Sequence, residues 1–261
     1  MKMKLDKLVQ KQNNPIIGPH LQFEAKEAYN LLRANIMLSF SDDKLCRIIG
    51  LTSAERGDGK SVSAINTAYS FALTGKRVLL LEGDLRLPTV SKNLNVTQIP
   101  GLSNFLSNQN DITSIVKKDI LTKNLDVITS GDIPPNPSEL MGSNKMKSLL
   151  STLSKEYDYI FIDMPPINSV SDAIVASPLL DGMLIVVRQN YTDRTLLLKA
   201  MSQFEYADVK VLGFVFNDVS EHNSKYYKNY KKTYRKYYYQ ERNKKGDNLW
   251  WKGIYLSLLQ I

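Results

Sequence analysis

Three short stretches of this sequence combine residue types and spacings that could do chemistry on a phosphate. The first is LTSAERGDGKSVSAIN, with GDGKS at 57–61. Glycines let backbone N–H groups converge on phosphate oxygens, and a following helix adds its N-terminal donors. Gly57, Asp58, Gly59, Lys60, Ser61 and Val62 are therefore the candidate nucleotide loop. Lys60 would reach the β- and γ-phosphates of ATP, and Ser61 would ligate Mg²⁺. The first glycine of the usual pattern is replaced by Ala54. The second stretch, YDYIFIDMPP, puts Asp163 at the end of an apolar run, where an aspartate can hold the hydration shell of Mg²⁺. The third, LLLEGDLRLP, carries Glu82, Asp84 and Arg86. In an extended strand these alternate residues point to one side, so two carboxylates and a guanidinium are expected to converge. Taken alone, the same stretch also reads as a solvated acidic loop with a local Asp–Arg pair.

Binding of Mg-ATP does not by itself define a reaction. Water as acceptor gives an ATPase; a protein hydroxyl gives a kinase. The glycine-rich loop and HRD segment of eukaryotic protein kinases are missing. A supply of hydroxyls is present in YYKNYKKTYRKYYYQ, where Tyr226, Tyr227, Tyr230, Tyr234, Tyr237, Tyr238 and Tyr239 make up half of the 14 tyrosines. Tyr226, Tyr230, Tyr234 and Tyr237 also fit one face of an amphipathic helix that could dock in a groove or on an anionic membrane. The surrounding segment, 221–245, holds nine Lys/Arg against two Glu. It thus contributes +7 of the total net charge of +8 and leaves the other residues near balance. The basicity belongs to a tail rather than to a nucleic-acid-binding surface.

The elements that must hold these groups follow from the apolar pattern. Continuous apolar runs of strand length lie at 47–53, 77–84, 125–131, 157–165, 182–188 and 210–218, as expected of strands covered on both faces. Helical segments fit at 60–74, 138–155, 171–180 and 193–207. This alternation predicts a doubly wound α/β fold with a mainly parallel sheet, and such folds keep ligand chemistry at the strand ends. An additional helix over 20–40 is expected to pack through Ala28, Leu31, Leu32 and Ile36. The domain reading is an extension at 1–19, a P-loop domain at 20–220, the basic tyrosine tail at 221–245 and an apolar end at 246–261. That end, LWWKGIYLSLLQI, suits an interface through Trp250, Trp251 and Lys252. The single cysteine, Cys46, fits a reducing compartment. The charged start has no signal-peptide pattern, and no run approaches membrane-spanning length. A cytoplasmic chain is expected.

SAERGDGKS, LLLEGDLRLP, YDYIFIDMPP and the tyrosine cluster together resemble the bacterial tyrosine kinases (BY-kinases) that accompany capsule and exopolysaccharide assembly. The resemblance covers roughly 15–240 and extends to EAYNLLRANI (27–36), SGDIPPNPSELMGS (130–143) and NSVSDAIVASPLLDGMLIVV (168–187). It implies a partition-ATPase-like P-loop fold, ATP and Mg²⁺ as cofactors, and Lys60, Glu82, Asp84 and Asp163 as the catalytic set. Ser61, Asp84 and Asp163 would hold the metal. Glu82 stands where the family has an aspartate acting as base on the tyrosine hydroxyl. The family's Glu-x-x-Arg-x-x-Arg oligomer contact reads Glu27, Asn30 and Arg33 here. By analogy with related ATPases, Asn217 would touch the adenine edge.

The resemblance further implies transfer to the tail tyrosines in trans and a homo-oligomeric ring, with an octamer as one size. Its expected partners are a transmembrane polysaccharide co-polymerase that activates the kinase at the inner face of the plasma membrane and a cognate tyrosine phosphatase. No nucleic acid is expected. Two alternatives share the fold. A partition or septum-positioning ATPase usually carries a lysine where this chain has Glu55. A nucleotide-binding homologue would have catalysis weakened by Glu82.

Overall fold

Strand residues that alternate between two apolar environments need cover on both sides, and the structure supplies it. A computed structural model describes residues 17–219. Its strands are β1 (Arg47–Ser53), β2 (Val78–Glu82), β3 (Val116–Lys117), β4 (Leu125–Ile128), β5 (Tyr159–Asp163), β6 (Gly182–Arg188) and β7 (Val211–Asn217). Its helices are α1 (Phe23–Leu38), α2 (Lys60–Ala72), α3 (Val90–Leu94), α4 (Leu102–Leu106), α5 (Ile112–Ile115), α6 (Pro137–Met141), α7 (Asn144–Leu153), α8 (Asp172–Ala176) and α9 (Arg194–Tyr206).

One seven-stranded sheet runs in the order β3-β4-β2-β5-β1-β6-β7. All its pairings are parallel except β3 with β4. Ile49, Leu51, Leu80, Phe161, Leu184 and Val186 face a core shared with Ala64, Ile65, Ala68 and Phe71 of α2. Their sequence neighbours Ile48, Leu79, Leu81, Ile160, Ile162 and Ile185 face the opposite core, closed by α7, α8 and α9 through Leu150, Ala173 and Phe204. The period-two alternation thus feeds both layers of a doubly wound fold, as the apolar runs predict.

The expected segments for β1 and β6 match in full, while the other expected strands are trimmed at their ends. The expected helix 138–155 divides into α6 and α7 at Gly142 and Ser143, where Ser143 Oγ accepts the Met146 amide at 3.1 Å and starts a new helix. Segment 171–180 becomes α8 followed by a 3₁₀ turn with Pro178 in its first turn. The strand β3 and helices α3, α4 and α5 have at most five residues each, too few to show a period.

The face of α1 also differs from the expected one. Leu32 and Ile36 pack inward, but Ala28 and Leu31 are exposed. Their inward places go to Tyr29, whose hydroxyl accepts Asn66 Nδ2 at 3.4 Å, and to Arg33, which donates to the Ser70 carbonyl at 2.7 Å. Because α1 lies on a partly polar strip of α2, apolar residues alone do not mark its buried side. The tyrosine cluster 226–239 and the rest of 220–261 lie outside the described residues, as do 1–16.

Phe161, in the middle of β5, is fully buried, and its ring centroid lies 5.1 Å from that of Phe71. Phe161→Ala is expected to cost about 3–5 kcal/mol. Urea unfolding should show this as a lower midpoint with an unchanged slope.

Candidate active site

Parallel strands deliver the site. The ends of β1, β5 and β2 lie side by side, with Asp163 in register with both Leu51 and Glu82. Between β1 and α2 the chain turns through Gly57 and Gly59, at φ +94° and +93°. Both positions require glycine twice over, once for the left-handed conformation and once for space. A Cβ on Gly59 would lie 2.0 Å from Asn217 Nδ2, and one on Gly57 would lie 2.7 Å from the Tyr191 hydroxyl.

Two neighbouring loops grip this turn. Asn217 Nδ2 donates to the Asp58 carbonyl at 2.9 Å, and the Tyr191 hydroxyl donates to the Arg56 carbonyl at 3.1 Å. The buried Asp58 carboxylate accepts the Glu55 amide at 3.1 Å and the Thr192 hydroxyl at 2.6 Å. Asp58 is therefore an internal brace, and Asn217 contacts the loop itself. Neither lines the adjoining cavity of about 350 Å³. Gly57, Gly59, Lys60, Ser61 and Val62 do line it.

Lys60, the first residue of α2, bridges the acids. Its Nζ donates to Asp84 Oδ2 at 2.9 Å and lies 3.6 Å from Asp163 Oδ1 and 3.4 Å from Ser61 Oγ. Burial acts to lower the Lys60 pKa, but Asp163 and Asp84 outweigh it and hold the ammonium above its usual range. Asp163 is completely buried, and neither of its oxygens has a hydrogen-bond partner. Burial pushes its carboxyl upward, opposed by the Lys60 charge.

A buried carboxylate with so few partners can accept a cation. Ser61 Oγ, Asp84 and Asp163 are hard oxygen donors, which fits Mg²⁺. That ion uses one or two carboxylates together with substrate phosphates and waters. Among the described residues no group of three or more His, Cys, Asp or Glu forms a dedicated metal cage.

The expected convergence of Glu82, Asp84 and Arg86 does not occur. The strand ends at Glu82, and the chain bends at Gly83, whose amide donates to the Asp163 carbonyl at 2.8 Å. The side-chain alternation of a strand stops there. Asp84 faces Lys60. Glu82 turns into the protein, where Val90 and Ser130 amides donate to its two oxygens at 2.5 and 3.0 Å. Burial raises the Glu82 carboxyl pKa, and these amides oppose the shift. Arg86 turns the other way, its Nε and a terminal nitrogen donating to the two oxygens of Asp172 at 2.9 and 3.1 Å. Arg86 also donates to Ser138 Oγ at 3.1 Å, and Ser138 bonds Asp172 in turn.

Asp172, Ser138 and Thr192 escape sequence reasoning. Their stretches, PNPSEL, SVSDA and NYTD, look like turn and helix-start chemistry. Glu27, Asn30 and Arg33 do share a face of α1. Asn30 donates to Glu27 at 3.0 Å, and Arg33 donates to Asn30 at 3.0 Å while also reaching Ser70.

The Arg86–Asp172–Ser138 node ties the loop after β2 to α6 and α8. Hydrogen bonds to charged groups contribute about 1.5–3 kcal/mol each. Asp172→Ala is therefore expected to speed amide exchange in 83–89 by about tenfold or more. Site-resolved hydrogen–deuterium exchange checks this.

Comparison with known proteins agrees with this geometry. Residues 46–204 match the family model described as an AAA domain. Tyrosine-protein kinase YwqD of Bacillus subtilis is 37% identical over 191 residues, covering 73% of this chain and 80% of YwqD. Tyrosine-protein kinase CpsD of Streptococcus pneumoniae serotype 4 is 36% identical over 204 residues, covering 78% and 88%. The solved BceF tyrosine kinase domain superposes with a TM-score of 0.72 at 32% identity, covering 84% of this chain and 89% of that domain. With sequence similarity and fold pointing the same way, the chain belongs to the bacterial tyrosine-protein kinases, and its activity is that of an ATP-dependent protein-tyrosine kinase.

Proposed function

We propose that this kinase transfers the γ-phosphoryl group of Mg-ATP to tyrosines 226–239 of a neighbouring copy, and through that modification regulates capsule or exopolysaccharide synthesis and export. The observation that carries the reading is the Lys60 ammonium, held between Asp84 and Asp163 beside a cavity of about 350 Å³.

Gly57–Val62 and the N-terminus of α2 bind the β- and γ-phosphates, and Lys60 exchanges its carboxylate contacts for phosphate oxygens. Ser61, Asp84 and Asp163 would hold Mg²⁺, which when bound neutralises charge on the β- and γ-oxygens. A bond forms between the tyrosine oxygen and the γ-phosphorus, the bond from that phosphorus to the β,γ-bridging oxygen breaks, and ADP leaves. The hydroxyl proton passes to a carboxylate of the site. A phenol with a pKa near 10 needs such an acceptor as it attacks. Leu87, Pro165, Pro166 and Val170 give the cavity apolar lining that suits an aromatic ring. Glu55, where septum-type ATPases usually have lysine, supports the kinase reading over theirs. Its Oε2 accepts the Asp193 amide at 3.2 Å.

The tail supplies a charge switch. Each phosphotyrosine adds about −1.5 to −2 charges, so four or five would cancel the +7 of residues 221–245. An unmodified tail is drawn to the acidic, nucleotide-loaded site of a neighbour, and phosphorylation loosens it. This reading includes a ring of copies using the Glu27–Asn30–Arg33 face, with an octamer as one size. It also includes activation by the cytoplasmic tail of a transmembrane co-polymerase at the inner membrane face, and reversal by a tyrosine phosphatase. Among the described residues, no helix is long and apolar enough to cross a membrane.

The test compares wild type with Lys60→Met, each given Mg-ATP and the co-polymerase tail. Wild type is expected to acquire phosphotyrosine within 226–239, and the variant to lose about 100-fold or more of that rate. Equal labelling, or hydrolysis of ATP without phosphotyrosine, overturns the reading.

A further inference from the structure

We infer that Glu82 is a positioning residue that bridges two loops of the site, and that it is not the carboxylate facing the acceptor hydroxyl. This deepens the kinase reading and rests on it for its rate measurement only.

A general base must lie within about 2.6–3.2 Å of the proton that it takes, or reach it through one water. Glu82 is fully buried and does not line the cavity. One of its oxygens accepts the Val90 amide at 2.5 Å, and the other accepts the Ser130 amide at 3.0 Å. Asp84 is the only carboxylate that lines the cavity among the described residues.

The two ends of the bridge differ in rigidity. Ser130 sits in a fixed turn after β4: its carbonyl accepts the Ser103 amide at 2.8 Å, and the Thr129 carbonyl accepts the Leu102 amide at 2.7 Å. Gly101 packs so closely here that a Cβ on it would lie 2.2 Å from the Gly131 nitrogen. Val90 opens α3 and closes the loop that carries Asp84, Arg86, Leu87 and Thr89, all on the cavity. Glu82 therefore transmits the position of the rigid turn to the loop that presents Asp84.

Its length is what the bridge requires. An aspartate at this position would be shorter by one carbon–carbon bond, about 1.5 Å, and could not keep both amides within hydrogen-bond distance. The glutamate that replaces the family's aspartate is thus fitted to a different task.

The experiment uses the full chain as wild type, Glu82→Asp and Glu82→Gln. Amide exchange is read at Val90 and Ser130, and the initial rate of tail phosphorylation is read at saturating Mg-ATP. The bridge predicts that both variants release an amide, Glu82→Asp because it is shorter by one bond and Glu82→Gln because one of its two acceptor oxygens becomes an NH₂ donor. Glu82→Asp is expected to exchange the Val90 amide about tenfold faster and to lose about 100-fold in rate, the scale of an ångström of misplacement. Glu82→Asp at or above wild type in rate, with both amides still protected, overturns the inference.

If Glu82→Asp does not fold, Glu82→Gln decides alone. Faster exchange of the Val90 or Ser130 amide in this variant supports the bridge. Both amides still protected overturns it, and a rate loss of about 10²–10⁴ beside protected amides is the behaviour of a missing base. A wild type silent towards tyrosine contradicts the kinase reading, while the exchange data still judge the bridge.

Discussion

The ion pairing of Lys60 with Asp84 and Asp163 is the constraint around which the site is built. Two carboxylates are almost completely withdrawn from water at the ends of β5 and β2. A single ammonium stands 2.9 Å from one and 3.6 Å from the other. Unpaired charges in such surroundings cost several kcal/mol each, so the fold can hold the acids only with a cation between them. The lysine does not fully compensate, since Asp163 keeps two oxygens without hydrogen bonds. A site assembled this way suits phosphate oxygens that take the lysine.

That arrangement demands that the loops carrying the charges be held firmly, and the surrounding bonds do so from several directions. The loop before α2 is braced through Asp58 and Thr192 and through Tyr191 and Asn217, which belong to the ends of β6 and β7. The loop after β2 is fixed by its own turn, in which Asp84 Oδ1 accepts the Leu87 amide at 3.0 Å. Arg86 locks it to Asp172 and Ser138, and Glu82 fixes its far end at Val90. Backbone amides and side chains from six of the seven strand ends thus converge on one cluster.

How much of this is legible in sequence depends on whether the signal is local. The strands of the central sheet are legible because burial on both faces leaves continuous apolar runs. Lys60, Ser61, Asp84 and Asp163 are legible because each sits at a helix start or just at the end of a strand, with a recognisable neighbourhood. Pairings across long separations leave no such trace: Arg86 meets Asp172 across 86 residues and Asp58 meets Thr192 across 134. The direction of Glu82 is illegible for another reason. The period-two rule holds only while the strand lasts, and the strand stops one residue before Gly83. The face of α1 misleads because its partner strip on α2 offers Asn66 and the Ser70 carbonyl, which select Tyr29 and Arg33 over leucines.

The three acids at the strand ends show why residue type alone does not assign a role. Glu82 and Asp163 are adjacent across β2 and β5 and are both completely buried. Yet one carboxylate accepts two backbone amides and the other accepts no hydrogen bond. An anion already solvated by fixed amides gains little from a metal or a proton donor, whereas an orphaned one gains much. Asp84 lies between these extremes, sharing Lys60 while still facing the cavity. Environment therefore divides the work as it does wherever like groups share a site. Asp163 is left with the least compensated charge and Glu82 with the frame. Asp84 is the one of the three that faces the cavity. The loop that carries it is tied at both ends, by Glu82 at Val90 and by Arg86 at Asp172.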